Sequence, residues 1–114
     1  MNRWSEWRPF PNPSKGDYLL APFGPGVYEL RHRSTGKLIL VGQSKNVAWR
    51  MSSLLPAPPG CGKRDNEKKR NHVHNNLADI EYRTRAYLTK AEAEQAEALL
   101  KAENLYMFSE QVQR

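Results

Sequence analysis

Two short runs joined by a tight turn constrain this chain more than any other feature. Gly26-Val27-Tyr28-Glu29-Leu30-Arg31 carries the β-branched and aromatic residues of a strand. Thr35-Gly36 supplies a turn, and Leu38-Ile39-Leu40-Val41 follows as an unbroken apolar run of strand length. The pair predicts a β-hairpin. An uninterrupted apolar run suits a strand covered on both faces, so the second strand is expected at the centre of its sheet.

Beyond the hairpin the period changes. Val47, Met51, Leu54 and Leu55 fall at i, i+4, i+7 and i+8, one stripe of a helix that Asn46 can cap. Pro56, Pro58, Pro59 and Gly60 end it. The basic stretch to Asn76 predicts a loop and then a polar helix. Ile80 to Thr84 alternates apolar and charged residues, the pattern of a half-exposed strand. Thr89-Lys90-Ala91-Glu92 has capping-box spacing and opens a helix expected to reach about Asn104. Residues 1–25, rich in proline, glycine and aromatics, read as an irregular arm. Its Trp4, Trp7, Phe10 and Tyr18 are expected to cover an otherwise open sheet face. The sum is an α+β domain over residues 26–109, a small antiparallel three-stranded sheet flanked by helices, with 110–114 as a tail.

Composition narrows the function classes. At 114 residues there is room for one domain with a modest core. The formal charge is +6, and Lys63, Arg64, Lys68, Lys69 and Arg70 stand against only Asp65 and Glu67 in one stretch. Such a stripe suits a polyanion, nucleic acid before an anionic membrane, although a solvated helix face has the same composition. Cys61 is the only cysteine, which excludes an internal disulfide, a four-cysteine zinc site and a CxxC pair. His72-Val73-His74 lacks the further ligands of a structural metal site. No run approaches the ~18 apolar residues of a membrane span. The start of the chain does not read as a secretory signal, so a reducing, cytoplasmic setting is expected.

Four elements in order then resemble the GIY-YIG nuclease superfamily. Gly26-Val27-Tyr28 looks like the GIY element. Leu40-Val41-Gly42 occupies the place of the YIG element, twelve residues after Tyr28. Arg50 lies eight residues beyond Gly42, at the position of the family's helix-borne arginine, and Glu97 matches its metal-binding glutamate. The resemblance implies a GIY-YIG-like fold and a metal-dependent endonuclease that hydrolyses phosphodiester bonds with Mg²⁺ or Mn²⁺. The helical periods agree with it. At ~100° per residue, Arg50 falls on the shoulder of the Val47 stripe, and Glu97 lies beside Ala93 and Leu100. A long side chain at such an edge can line a cleft while its stem stays packed.

The chemistry assigns the roles. One carboxylate, Glu97, suffices for Mg²⁺, which keeps several waters. Arg50 would clamp non-bridging phosphate oxygens through its planar fork. Tyr28 would orient or deprotonate water, with Lys45 as a nearby positive charge; a free phenol titrates near 10 and needs one. Two positions depart from the family. Leu40 replaces a tyrosine proposed as general base, and Ser109 stands where an asparagine is common. The base role then passes to Tyr28, His72 or His74, or the domain binds without cutting. Lys63, Arg64, Asn66, Lys68, Lys69, Arg70 and His72 are the candidates for gripping nucleic acid, DNA before RNA, through phosphates rather than bases. Nothing reads as a major-groove element, so specificity is expected to be loose or supplied by a protein partner.

Overall fold

The computed structural model describes residues 3–55 and 67–108. Strands β1 (Arg8–Pro9), β2 (Gly26–His32), β3 (Leu38–Ser44) and β4 (Ile80–Ala86) form one antiparallel sheet in the order β1-β4-β2-β3. Helices α1 (Val47–Ser52), α2 (Glu67–Asn75) and α3 (Lys90–Glu103) pack around it. The fold is α+β, with one more strand than the sequence pattern predicts. No helix among the described residues is long and apolar enough to cross a membrane.

Strand alternation sorts the hairpin onto two faces. On the first, Tyr28, Leu30, Leu40, Ile80 and Tyr82 meet Val47 and Met51 of α1 and Val73 of α2. On the second, Val27 and Val41 meet Ala93 of α3 and Tyr106. With both faces buried, a one-residue slip would exchange every side chain, so the register is fixed. Leu30 pairs with Leu40 and Arg31 with Leu38, which leaves Ile39 as the extra residue of a bulge.

Four expectations are corrected. β3 is covered on both faces, yet it lies at the edge of the sheet, and β4 and β2 are the inner strands. Its outer side takes hydrogen bonds instead from the N–H groups of Met107 to the Leu38 carbonyl (3.2 Å) and Phe108 to the Ile39 carbonyl (2.8 Å). The arm is not wholly irregular, because Arg8 and Pro9 pair with Tyr82 and Glu81. An edge strand tolerates proline, whose missing N–H is not needed on the outer side. The arm straddles that edge. Phe10 packs edge-on against Tyr82, whereas Trp4 and Trp7 stack on the guanidinium groups of Arg83 and Arg31. Tyr18, by contrast, stays largely exposed. Helix α1 stops at Ser52, short of the prolines, and Leu54 and Leu55 reach the core from tighter turns bonded back to Met51 and Ser52.

Thr89 caps α3 by accepting from the Glu92 N–H (3.1 Å), and Glu92 reaches back to the N–H of Leu88 (3.2 Å). Asn46 caps α1 through the Trp49 N–H (3.0 Å). The most deeply buried charge is Glu29, 1% exposed at the centre of β2. Arg83 donates to its Oε1 from Nε (2.8 Å) and Nη2 (2.7 Å), and the Tyr106 hydroxyl donates to Oε2.

Burial, then the neighbouring Glu29 carboxylate, raises the Tyr106 pKa above the usual phenol range. The folded state therefore holds that proton more tightly than the unfolded chain. This stability is fully present below about pH 10, the unfolded phenol value, and is lost as pH rises beyond it. Tyr106→Phe strips Glu29 of a donor and is expected to cost about 1–3 kcal/mol at neutral pH. It should also lessen the alkaline loss, with Tyr82, likewise raised by burial, retaining part of it. Urea unfolding across the alkaline range measures both, and a midpoint equal to wild type at neutral pH would count against the buried bond.

Candidate active site

Two glycines shape one end of the hairpin. Tyr28 and Gly42 face each other across β2 and β3. A Cβ on Gly42 would lie 2.9 Å from Tyr28 Cε1 and closer still to its Cζ and hydroxyl, so the phenol occupies the space a side chain would take. At Gly26 a Cβ would meet the Arg85 carbonyl at 2.6 Å and Val47 Cγ2 at 2.9 Å. That close approach lets α1 settle on the start of β2. The GIY and YIG glycines are thus both places where neighbours need the room.

Helix α1 carries Arg50 and is pinned at its N-terminus. Its Val47 and Ala48 N–H groups donate to the carbonyls of Gly24 (3.1 Å) and Pro22 (2.8 Å). With the Asn46 cap, these bonds satisfy donors a helix start otherwise leaves orphaned. Arg50 is half-buried, and its Nη1 makes only a long 3.5 Å contact to the Gln43 carbonyl. Its Nε and the Gln43 Oε1 are buried without hydrogen-bond partners among the described residues. The structure therefore gathers Tyr28, Gly42, Gln43 and Arg50 at the end of β3, with Lys45 exposed in the link to α1. Gln43 was not singled out in the sequence, since nothing local marks an amide whose oxygen ends up unsatisfied.

Glu97 lies elsewhere on the scaffold, on α3, which packs against the second face through Ala93, Ala96 and Leu100. Its side chain is 20% exposed and sits 3.4 Å from the Lys101 ammonium. Gln43 pairs with Val27 and so directs its side chain to that same face. No three His, Cys, Asp or Glu side chains among the described residues cluster as a metal site. A lone, loosely paired carboxylate and an unsatisfied amide oxygen fit a hard cation that keeps most of its waters. Leu40, at the second-motif tyrosine position, is 2% exposed and belongs to the core.

The remaining candidates spread along α2 and beyond. Arg70 donates to the carbonyls of Ser53 (2.9 Å) and Leu55 (3.1 Å), and a His74 ring nitrogen lies 3.2 Å from the Leu54 carbonyl. Lys68 is exposed and Lys69 partly buried. Lys63, Arg64 and Asn66 lie outside the described residues, as do Cys61 and Ser109. His72 joins a polar chain that sequence reasoning missed. Its Nε2 is 2.9 Å from His32 Nε2, and His32 Nδ1 is 3.0 Å from Asp79, which also accepts from the Ser34 N–H and hydroxyl. Residues so far apart in sequence carry no local signal of meeting. A shallow cleft of about 320 Å³ lies along the arm, lined by residues including Arg8, Tyr18 and Tyr82 and by none of these candidates.

The chain has a GIY-YIG-like fold. Among solved structures, it resembles the magnesium-bound GIY-YIG N-terminal endonuclease domain of UvrC from Thermotoga maritima. The TM-score is 0.60 at 24% identity, covering 80% of this chain and 89% of that one. Two tyrosine-to-phenylalanine variants of that domain, each bound to its catalytic divalent cation, match with TM-scores of 0.59 at 23% and 25% identity. No protein-family model and no curated protein matches the sequence.

Gly42→Ala is expected to push the Tyr28 ring aside at a cost of about 1–3 kcal/mol, as overpacking does elsewhere. Thermal unfolding measures it, and an unchanged melting temperature would mean the phenol does not fill that space. At the far end of β2 the expectation concerns pH. Burial, and then the charge of His32, lowers the His72 pKa below its ordinary value of 6.5. The unfolded chain therefore takes up the proton first. Stability is fully present above about pH 6.5 and is lost as pH falls through the lowered value. The groups facing His72 are His32, Asp79 beyond it, and the Phe108 ring. Urea midpoints should drop on acidification, and His72→Gln should flatten part of that slope.

Proposed function

We propose that the protein is a divalent-metal-dependent endonuclease hydrolysing nucleic-acid phosphodiester bonds, with DNA as its substrate. The observation that carries this reading is the convergence of Tyr28, Gly42 and Arg50 at the end of the hairpin of a GIY-YIG-like fold. The Arg50 fork is held in place by a pinned helix, yet no carboxylate pairs with it among the described residues, which leaves it for phosphate oxygens. Mg²⁺ or Mn²⁺ at Glu97 would supply charge neutralisation at the phosphate and a more acidic bound water. The Tyr28 hydroxyl, next to Gly42, would orient the attacking water. Lys45 and the basic residues around α2 would hold the flanking backbone. They give no sequence readout, so target choice falls to a protein partner or is loose.

Leu40 favours a second reading. Its buried alkyl chain cannot move a proton, so a domain that binds nucleic acid without turnover fits that position as well. The test is nicking of supercoiled plasmid in Mg²⁺ or Mn²⁺ by wild type, Arg50→Ala and Glu97→Ala, with chelator controls. Wild type is expected to cut, and Arg50→Ala to lose about 10²–10³-fold, the usual cost of one transition-state donor. Glu97→Ala should lose the metal dependence. Binding should weaken steeply with salt. If wild type shifts DNA at low salt but never cuts it, nor single strands or RNA, the binding reading replaces the enzymatic one.

A further inference from the structure

Beside Arg50 the surface carries two large aromatic side chains that the fold does not use. Trp49 is 70% exposed and Phe23 is 83% exposed. Their backbone positions are nonetheless anchored. Val47, Ala48 and Met51 of α1 turn inward, which at ~100° per residue sends Trp49 to the opposite, outer side with Arg50 between the two. Phe23 lies between Pro22 and Gly24, the residues whose carbonyls accept from Ala48 and Val47, and so stands at the first turn of α1. The Asn46 cap bonds the Trp49 amide itself. Two exposed aromatic rings therefore project from anchored backbone next to an arginine that lacks an acidic partner among the described residues.

The charge around them selects the occupant. From residue 18 to residue 55 the only acidic side chain is Glu29, which is buried and ion-paired, whereas Lys45 and Arg50 lie at this end of the hairpin. An apolar peptide would gain nothing from that bias. A nucleotide strand matches both halves, with phosphate for the guanidinium and base faces for the rings. Stacking on aromatics is tolerant of sequence because every base has a π-face, but it needs bases out of their pairs.

We propose that Phe23 and Trp49 form a stacking platform for unpaired nucleobases beside Arg50, so that single-stranded or locally unpaired nucleic acid is the preferred substrate. This rests on the nuclease reading and adds the substrate class to it. The platform holds the strand on the outer side of α1 and keeps the flanking phosphate against Arg50, the next residue of the helix. Duplex DNA, whose base faces are covered, gains nothing from the rings.

The test is fluorescence anisotropy in chelator at low salt, with a labelled oligodeoxythymidylate and a blunt duplex of equal length as probes. Trp49→Ala and Phe23→Ala should each weaken single-strand binding about tenfold or more, as loss of one stacked base does elsewhere. Both should leave duplex binding within about twofold of wild type, and Trp49→Phe should restore most of the single-strand affinity. Because both side chains are exposed, the melting temperature should not move. Single-strand binding within about twofold of wild type in both alanine variants overturns the platform, and so does an equal loss for single strand and duplex. If wild type nicks plasmid while the alanine variants bind unchanged, only the platform falls. If wild type binds neither probe, the nuclease reading falls with it.

Discussion

A carboxylate buried at the middle of the central strand ties together parts of the chain that would otherwise have little reason to meet. Glu29 is bonded by Arg83 of β4 and by Tyr106, which follows α3. The other side of the Arg83 guanidinium is stacked by Trp4 and Trp7 of the arm. One buried charge thus links β2, β4, the arm and the C-terminal segment. An apolar replacement of the whole group need not be less stable, since desolvating the ions offsets much of their attraction. What the group contributes is uniqueness, because any packing that separates its members leaves a buried ion unpaired. With Tyr106 seated, Met107 and Phe108 run along β3 and occupy the edge that an exposed apolar strand would otherwise offer to other chains.

The candidate site inherits its order from that frame. The hairpin register sets Gly42 opposite Tyr28, and Gly26 admits Val47, so α1 approaches closely enough to bring Arg50 to the Gln43 carbonyl. Leu40 shows the other consequence of the same register. Paired with Leu30 on the first face, it points into the core, and the interior closes around it. A proton-transfer role at the second motif therefore has no physical basis in this chain. The Tyr28 hydroxyl, beside Gly42, is the polar group that the same register brings to the second motif.

The legible parts of the sequence were those governed by local period. The hairpin, the Asn46-capped start of α1 and the Thr89 cap each depend on neighbours a few residues away, and each is where the pattern put it; Leu54 and Leu55 reach the same core from turns beyond the helix end. The pairing of Tyr28 with Gly42 was readable for the same reason, because a hairpin turns sequence distance into register, whereas Arg50 was singled out by the resemblance. β1 was not readable, being two residues long with a proline that speaks against a strand. The edge position of β3 was misread because burial on two faces says nothing about hydrogen bonding at the sides. Glu29 with Arg83 and Tyr106, and His32 with Asp79 and His72, join residues dozens of positions apart, and no window of sequence contains them.

Charge also behaves differently in the structure than in the composition. Arg70 belongs to the basic stretch, yet its guanidinium bonds the Ser53 and Leu55 carbonyls that follow α1. His74 at the Leu54 carbonyl and His72 at His32 complete the attachment of α2 to the body of the fold. A guanidinium that donates to carbonyls keeps its full charge, since its partners are neutral. Under the proposed function it would still contribute to the positive field that draws a polyanion toward α1, although its Nε and Nη2 are engaged. In this reading the steering and the gripping are separate tasks. Arg70 performs the first while fastening a helix, and the second is left to Arg50, whose fork is positioned but not paired with any acid among the described residues.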